Sequence, residues 1–188
     1  MKDEEMKWET VSSEYVFKDK WLQARRDVCK KPDGGIVDPY YVIEYMHWAT
    51  ALCMIDDENV LMIKQYRHAL GQVCLELPGG CVEEGEDHTE AVKREVMEET
   101  GYAFEEAVFL GDTSPNPSTN NNLLSMFLLK GGKKVNEQAL DANEDIRVVH
   151  LTLKELVQKV LNNEIISSLH IANIMLALHK MGVMEVKV

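Results

Sequence analysis

Positive charge is the first thing this sequence is short of. Across 188 residues, 20 Lys and Arg face 32 Asp and Glu, a formal net charge of −12. Phosphate backbones are neutralised by clustered Lys and Arg, and here there is no such run; Lys30-Lys31 and Lys133-Lys134 are isolated pairs. A nucleic-acid polymer is therefore excluded as the expected partner. Paired cysteines and clustered histidines are lacking too. Cys29, Cys53, Cys74 and Cys81 form no C-x-x-C, and the six histidines show no H-x-x-x-H spacing, which argues against both a zinc site and a disulfide framework. No window approaches the roughly 20 consecutive apolar residues of a membrane span. The acidic start Met1-Lys2-Asp3-Glu4-Glu5 lacks the basic-then-apolar order of a signal peptide. The expected protein is cytoplasmic and touches no membrane.

What is present is an ordinary globular composition, 45% hydrophobic and 28% charged, enough to bury a core in one domain with a small appendage. The first third reads as strands around Trp8–Phe17, Trp21–Cys29 and Ile36–Tyr45, with Lys31-Pro32-Asp33-Gly34-Gly35 as a hairpin turn. These strands predict a small antiparallel sheet. Apolar runs at Thr50–Ile55 and Val60–Gln65 flank the polar turn Asp56–Asn59, and Ala107–Leu110, Leu123–Leu129 and Ile146–Leu151 are further strands. A helix is predicted after Gly85: Asp87 and Glu90 have capping-box spacing, Ala91, Val92 and Val96 form a stripe, and Gly101 ends it. Leu153–Leu161 and Ser168–Lys180 read as two more helices. The expected fold is α/β, a mixed sheet sandwiched by helices, with residues 1–48 as an N-terminal extension and 49–188 as the main domain.

The chemistry concentrates on the first helix. Glu95, Glu98 and Glu99 stand at i, i+3 and i+4, so three carboxylates share one face within a turn. Like charges at these spacings repel, by a few tenths of a kcal/mol each when exposed and by more when buried, so a cation belongs there. An all-oxygen donor set selects a hard divalent ion, Mg²⁺ or Mn²⁺, and such ions act with phosphates. Arg94 and Glu86 offer an ion pair to orient the carboxylates. A bare E-x-x-E-E is no more than a solvated acidic helix. The full spacing has seven fixed residues, Gly80, Glu86, Arg94, Glu95, Glu98, Glu99 and Gly101. At roughly 6% per residue type, their coincidence is on the order of 10⁻⁹ per starting position, which decides against the bland reading.

This segment resembles the signature of the Nudix hydrolases at every fixed position, with Tyr102 where an aliphatic residue is more usual. The resemblance implies an α/β/α sandwich and hydrolysis of a diphosphate linked to another moiety. It also implies that Glu95, Glu98, Glu99 and the carbonyl of Gly79 bind the metal, while Gly80, Glu86, Arg94 and Gly101 support the loop and helix. Gln65-Tyr66-Arg67 and Glu76-Leu77-Pro78-Gly79-Gly80 resemble the stretch preceding the signature in the ADP-ribose pyrophosphatase and nucleoside-diphosphate-sugar hydrolase branch. In that branch the appended sheet exchanges between subunits, which implies a homodimer with its active site at the interface.

Further candidates lie outside the signature. Arg67 is suited to clamp a phosphate, and Glu76 to bind sugar, orient Arg67 or reach a metal. In the loop Ser114–Asn122, Asn116 and Asn121 offer uncharged hydrogen bonds to a ribose or sugar. Pro117 falls where ADP-ribose pyrophosphatases often have proline, but the Gly and acid that usually follow are replaced by Asn, which resembles hydrolases of ADP-ribose, ADP-glucose or GDP-mannose. Trp21 and Trp48 are the aromatic residues placed to stack on a base in a dimeric site; core packing is the alternative. Asn143-Glu144-Asp145 resembles the segment that closes the site, making Glu144 the candidate general base or additional metal ligand, with Asp145 second. The expected activity is Mg²⁺-dependent cleavage of a nucleotide sugar. The alternatives are another Nudix substrate (an oxidised nucleoside triphosphate, a dinucleoside polyphosphate or NADH) and a non-catalytic sensor of an ADP-ribose-type ligand. From Gly80 to Tyr102, eight acids face Lys93 and Arg94, so half of the net −12 lies in this one segment.

Overall fold

The computed structural model describes residues 3–185 and divides into two compact units. The first contains the chain up to Met46 together with Ser114–Asn122. Its strands β1 (Glu9–Lys18), β2 (Gln23–Lys30) and β3 (Ile36–Glu44) form an antiparallel sheet in that order. The β2–β3 turn is the expected one: Gly34 sits at φ +84°, its N–H donates to the Lys31 carbonyl, and the Asp33 carboxylate accepts from the Gly35 N–H. The segment Ser114–Asn122 is tied to β3, with the Ile43 N–H donating to the Thr119 carbonyl at 2.7 Å and the Tyr40 hydroxyl to the Ser118 carbonyl at 2.8 Å.

The second unit holds seven strands: β4 (Trp48–Met54), β5 (Asn59–Arg67), β6 (Gln72–Glu76), β7 (Gly79–Cys81), β8 (Tyr102–Thr113), β9 (Leu124–Lys134) and β10 (Ile146–Thr152). The order is β10-β5-β4-β9-β8, with β6 on β5 and β7 on β4. β4 and β9 run parallel and the other pairs antiparallel, so the sheet is mixed. Alternation along the strands builds a core on each face. Ala49, Ala51, Cys53, Leu61, Phe127 and Leu129 pack with Ala91, Val92 and Val96 of α1 (His88–Thr100). Their neighbours Leu52, Met54, Val60, Met62 and Leu128 pack on the other face with Leu156 of α2 (Leu153–Leu161) and Ile174, Ala177 and Leu178 of α3 (Ser168–Lys180). This is the α/β/α sandwich with a mixed sheet, plus the small N-terminal antiparallel sheet. Among the described residues no helix is long and apolar enough to cross a membrane.

Three local expectations change. β7, Gly-Gly-Cys, carries no hydrophobic pattern of its own, whereas β6 buries Cys74, Leu75 and Glu76 and runs into the glycine pair. β8 starts at Tyr102, immediately after the helix, and the adjacent Glu105 and Glu106 break the apolar run that would have marked its first half. At the start of α1, Asp87 accepts from the Thr89 and Glu90 N–H groups, but the Glu90 side chain pairs with Lys93 at 3.0 Å instead of completing a capping box. The complete box is at α2, between Thr152 and Glu155.

Candidate active site

β7 and α1 bring the signature residues together. Gly79, at φ +143°, crosses so close to β4 that a side chain would run into the Ala49 carbonyl, and a side chain at Gly80 would run into the Glu95 carboxylate. Gly79 therefore lets β7 lie close against β4, and Gly80 lets it lie against the helix. The Gly79 N–H donates to Glu99 Oε2 at 2.8 Å. Glu99 is buried, and its carboxyl is pushed up to about 8 by desolvation, with the charges of Glu95 and Glu144 adding to the shift and the Gly79 N–H opposing it. Burial raises the Glu95 carboxyl as well, with Glu98 and Glu144 contributing. Glu98 is more open, at 43% side-chain exposure.

Arg94 is the hub of this region. Its Nε donates to Glu86 Oε1 at 2.9 Å, Nη1 to Glu95 Oε1 at 2.9 Å and Glu98 Oε2 at 3.2 Å, and Nη2 to Glu86 Oε2 and the Cys81 carbonyl, both at 3.0 Å. All five guanidinium donors are thereby spent within the chain. The pairing holds the Glu86 carboxyl down to about 2, aided by the Glu83 N–H, so Glu86 anchors the loop to the helix. Gly101, at φ +74°, closes α1 by donating to the Met97 carbonyl.

Upstream, Arg67 at the end of β5 grips the buried Glu76 of β6, with Nε 3.0 and 3.1 Å from its two oxygens and Nη2 2.7 Å from Oε2. Nη1 of Arg67 makes no hydrogen bond among the described residues, and the side chain is 48% exposed. Of the three roles open to Glu76, the geometry supplies the orientation of Arg67. Glu144 precedes β10; its Oε2 accepts from the Asp141 N–H at 2.9 Å, and its charge is felt at Glu95 and Glu99. Trp48, the first residue of β4, stands opposite Cys81 and its side chain hydrogen-bonds the Cys81 thiol.

Trp21, Asn116 and Asn121 belong to the first unit. Trp21 is 70% exposed, with Lys20 over its ring. Asn116 Oδ1 accepts from the Ser118 N–H, and Asn121 Oδ1 from the Tyr45 N–H at 3.2 Å. Two residues escaped the motif reading. His170 Nδ1 accepts from the Leu77 N–H at 3.2 Å, and Asn173 Nδ2 donates to the carbonyl and hydroxyl of Thr50, the residue opposite Gly79. Their only trace in the sequence is a polar residue interrupting the apolar spacing of α3.

Among the described residues, no three His, Cys, Asp or Glu side chains are gathered around one point as a closed metal cage, since Glu95 and Glu98 are turned onto Arg94. The donor set nonetheless fits a hard divalent cation. It is all carboxylate oxygen, and burial raises both the Glu95 and Glu99 carboxyls, a cost that a bound cation would offset.

Two protein families match the chain: the NUDIX domain over residues 46–169, and the nucleoside diphosphate sugar hydrolase N-terminal domain over residues 8–43. Among curated relatives, an ADP-ribose pyrophosphatase of Mycobacterium tuberculosis is 31% identical over 174 residues, covering 92% of this chain and 83% of the relative. A methanol dehydrogenase activator of Bacillus methanolicus is 27% identical over 160 residues, covering 85% and 86% of the two chains. A solved structure described as an ADP compounds hydrolase superposes with a TM-score of 0.81 at 18% identity, covering 95% of this chain and 97% of the other, a likeness of fold. With the signature complete from Gly80 to Gly101 and the NUDIX match spanning most of the chain, this protein belongs to the Nudix family of pyrophosphohydrolases.

Proposed function

We propose that the chain hydrolyses the diphosphate bond of a nucleoside diphosphate sugar of the ADP-ribose, ADP-glucose or GDP-mannose type, releasing a nucleoside monophosphate and a sugar phosphate. The observation that carries this reading is the pairing of a complete signature carboxylate set with an N-terminal segment of the nucleoside diphosphate sugar hydrolase kind. The name of the mycobacterial relative points the same way.

In this reading Glu95, Glu98, Glu99 and the Gly79 carbonyl hold Mg²⁺ or Mn²⁺, and the bound ion supplies charge neutralisation at the diphosphate and a more acidic water. Glu144 takes the proton of the attacking water, or else joins the metal ligands. Arg67, held flat by Glu76, presents Nη1 to a phosphate oxygen. Arg94 has no donor left for substrate and acts by aiming Glu95 and Glu98. Trp21, Trp48, Asn116 and Asn121 recognise the nucleoside or sugar; Asn121 keeps its Nδ2 for that purpose, since its oxygen holds the Tyr45 N–H. The protein works as a cytoplasmic homodimer on a small molecule.

The test incubates the protein and Mg²⁺ with ADP-ribose, ADP-glucose, GDP-mannose, NADH and nucleoside triphosphates and resolves the products by chromatography. Cleavage of a nucleotide sugar to its monophosphate, abolished in Glu98→Gln, is the expected result. Turnover of triphosphates alone moves the chain to another Nudix substrate, and no turnover at all removes the enzymatic reading.

A further inference from the structure

Residues 135–145 join β9 to β10 and carry Glu144, and the first half of this loop is laced to the last turn of α1. The Val135 and Asn136 N–H groups donate to the Gly101 carbonyl at 2.9 and 3.1 Å, the Ala139 N–H to the Glu98 carbonyl at 2.8 Å, and Lys134 Nζ to the Thr100 carbonyl at 3.2 Å. These bonds satisfy carbonyls that a helix C-terminus leaves without intrahelical partners. Gln138 does something different. Its Nε2 donates to the Glu99 carbonyl at 2.7 Å and to the Ile146 carbonyl at 3.1 Å. One side-chain amide thus joins a residue whose carboxyl lies in the site to the first residue of β10, two positions beyond Glu144. Between these anchors the chain turns tightly: the Glu144 N–H donates to the Asp141 carbonyl at 3.0 Å, and the Asp141 N–H donates to Glu144 Oε2.

We propose that Gln138 is a positioning residue that sets the distance between Glu144 and the carboxylates of α1. The proposal rests on the reading of Glu144 as general base. A base must stand within about 3 Å of the water it deprotonates. Beyond Ala139 the loop's own described bonds are the local ones between Asp141 and Glu144, which do not by themselves fix Glu144 relative to α1. Holding it there requires a tether at both ends of its segment, and Gln138 ties both ends to one nitrogen. An uncharged tether suits the task, because Lys or Arg at this place would bring a cation beside Glu144 and weaken it as a base. The geometry also explains why the amide is a Gln: its two protons point to two carbonyls on different elements, which a hydroxyl with one proton cannot serve.

The experiment compares Gln138→Leu and Gln138→Glu, neither of which offers the two N–H donors at neutral pH, in the wild-type and Glu144→Gln backgrounds. Steady-state kinetics on ADP-ribose with Mg²⁺ are read alongside amide hydrogen exchange of the metal-free protein. Both substitutions are expected to lower kcat by roughly 10 to 100-fold with KM little changed, the scale of losing a group that orients a reacting residue. They should also speed exchange at the Asp141 and Glu144 amides and cause no further loss of kcat in the Glu144→Gln background. An unchanged kcat, equal losses in both backgrounds, or unaltered exchange at Asp141 and Glu144 overturns the proposal. Failure of the underlying reading looks different: Glu144→Gln alone would then retain the wild-type kcat, which removes the base and with it anything for Gln138 to position.

Discussion

The two faces of the central sheet bury polar groups on opposite terms. On the α3 face, His170 and Asn173 are buried as neutral groups with neutral partners, the Leu77 N–H and the carbonyl and hydroxyl of Thr50. Burial lowers the His170 imidazole to about 4, so it stays uncharged. On the α1 face, the buried Glu99 has one backbone N–H as partner and further carboxylates as neighbours, and burial raises it to about 8. One face spends its polar groups on holding the Leu77–Gly79 segment in place. The other stores unneutralised acid, which costs folding stability and returns it only when positive charge arrives.

Glu99→Gln should break this contrast most severely. Losing a carboxylate from the cation-binding set costs several kcal/mol of transition-state stabilisation, or kcat lower by roughly 10² to 10⁴-fold at about 1.4 kcal/mol per tenfold. The same substitution should raise the melting temperature of the metal-free protein above pH 8. The folded-state pKa of about 8 lies above the ordinary 4.5, so the stability this group contributes is complete below pH 4.5 and lost as pH rises through 8. A neutral amide abolishes that alkaline loss. Mg²⁺ added to the wild type should do the same, and a Gln variant less stable than wild type at pH 9 would show that the α1 face is not short of positive charge.

On the other face, Leu156→Ala should act on stability alone. Leu156 is fully buried against the aliphatic cluster, so truncation removes apolar contact and leaves a cavity, about 2 to 5 kcal/mol in denaturant unfolding, with kcat of the folded enzyme unchanged. A matching fall in kcat would mean that the two faces are coupled through the sheet.

The acid limb belongs to His170. Its folded-state pKa of about 4 lies below the ordinary 6.5, so its contribution is complete above pH 6.5 and lost as pH falls through 4. At about 1.4 kcal/mol per pH unit this amounts to roughly 3 kcal/mol across the interval. His170→Gln keeps an acceptor near the Leu77 N–H; read by urea unfolding in the Glu99→Gln background, where the opposing Glu99 slope above pH 4.5 is absent, it should flatten stability between pH 6.5 and 4, whereas Mg²⁺ should leave this limb alone. The metal-free protein is then most stable from pH 4.5 to 6.5, where the two slopes oppose each other, and the ion extends only the alkaline side.

The ligand face was readable in advance because its chemistry is fixed by spacing on a helix. Glu95, Glu98 and Glu99 fall on one face by periodicity, and Asp87 and Gly101 bound the helix by the hydrogen bonds its ends require. The apolar runs of β4, β5 and β9 likewise marked them as strands, while which residues face each helix layer emerged only from the folded sheet. What escaped was held by single contacts between segments distant in sequence. β7 pairs through the backbone of two glycines, the Ser114–Asn122 segment is tied to β3 by carbonyls and amides, and Gln138 reaches Glu99 from 39 positions away. A bond from a side chain to a backbone carbonyl leaves no period and no preferred neighbour in the sequence, so nothing short of the folded geometry reveals it.

The smallest effects are expected at the entrance to α1, where the sequence motif and the structure part company. Asp87 accepts the Thr89 and Glu90 N–H groups at 2.9 and 3.2 Å, so Asp87→Ala leaves two helix donors to water and should cost about 1 kcal/mol of stability. In a true capping box Glu90 would matter nearly as much, through its return bond to the Asp87 backbone. Here it meets Lys93 on the exposed surface, so Glu90→Ala should change stability by no more than about 0.5 kcal/mol, and that residue should fade with added salt. Thermal unfolding of the two variants at low and high salt separates the cases. Neither substitution should alter kcat, because the reacting carboxylates are anchored two turns further on by Arg94, and a loss of activity in Asp87→Ala would mean that the first turn of α1 also governs how Glu95 is aimed.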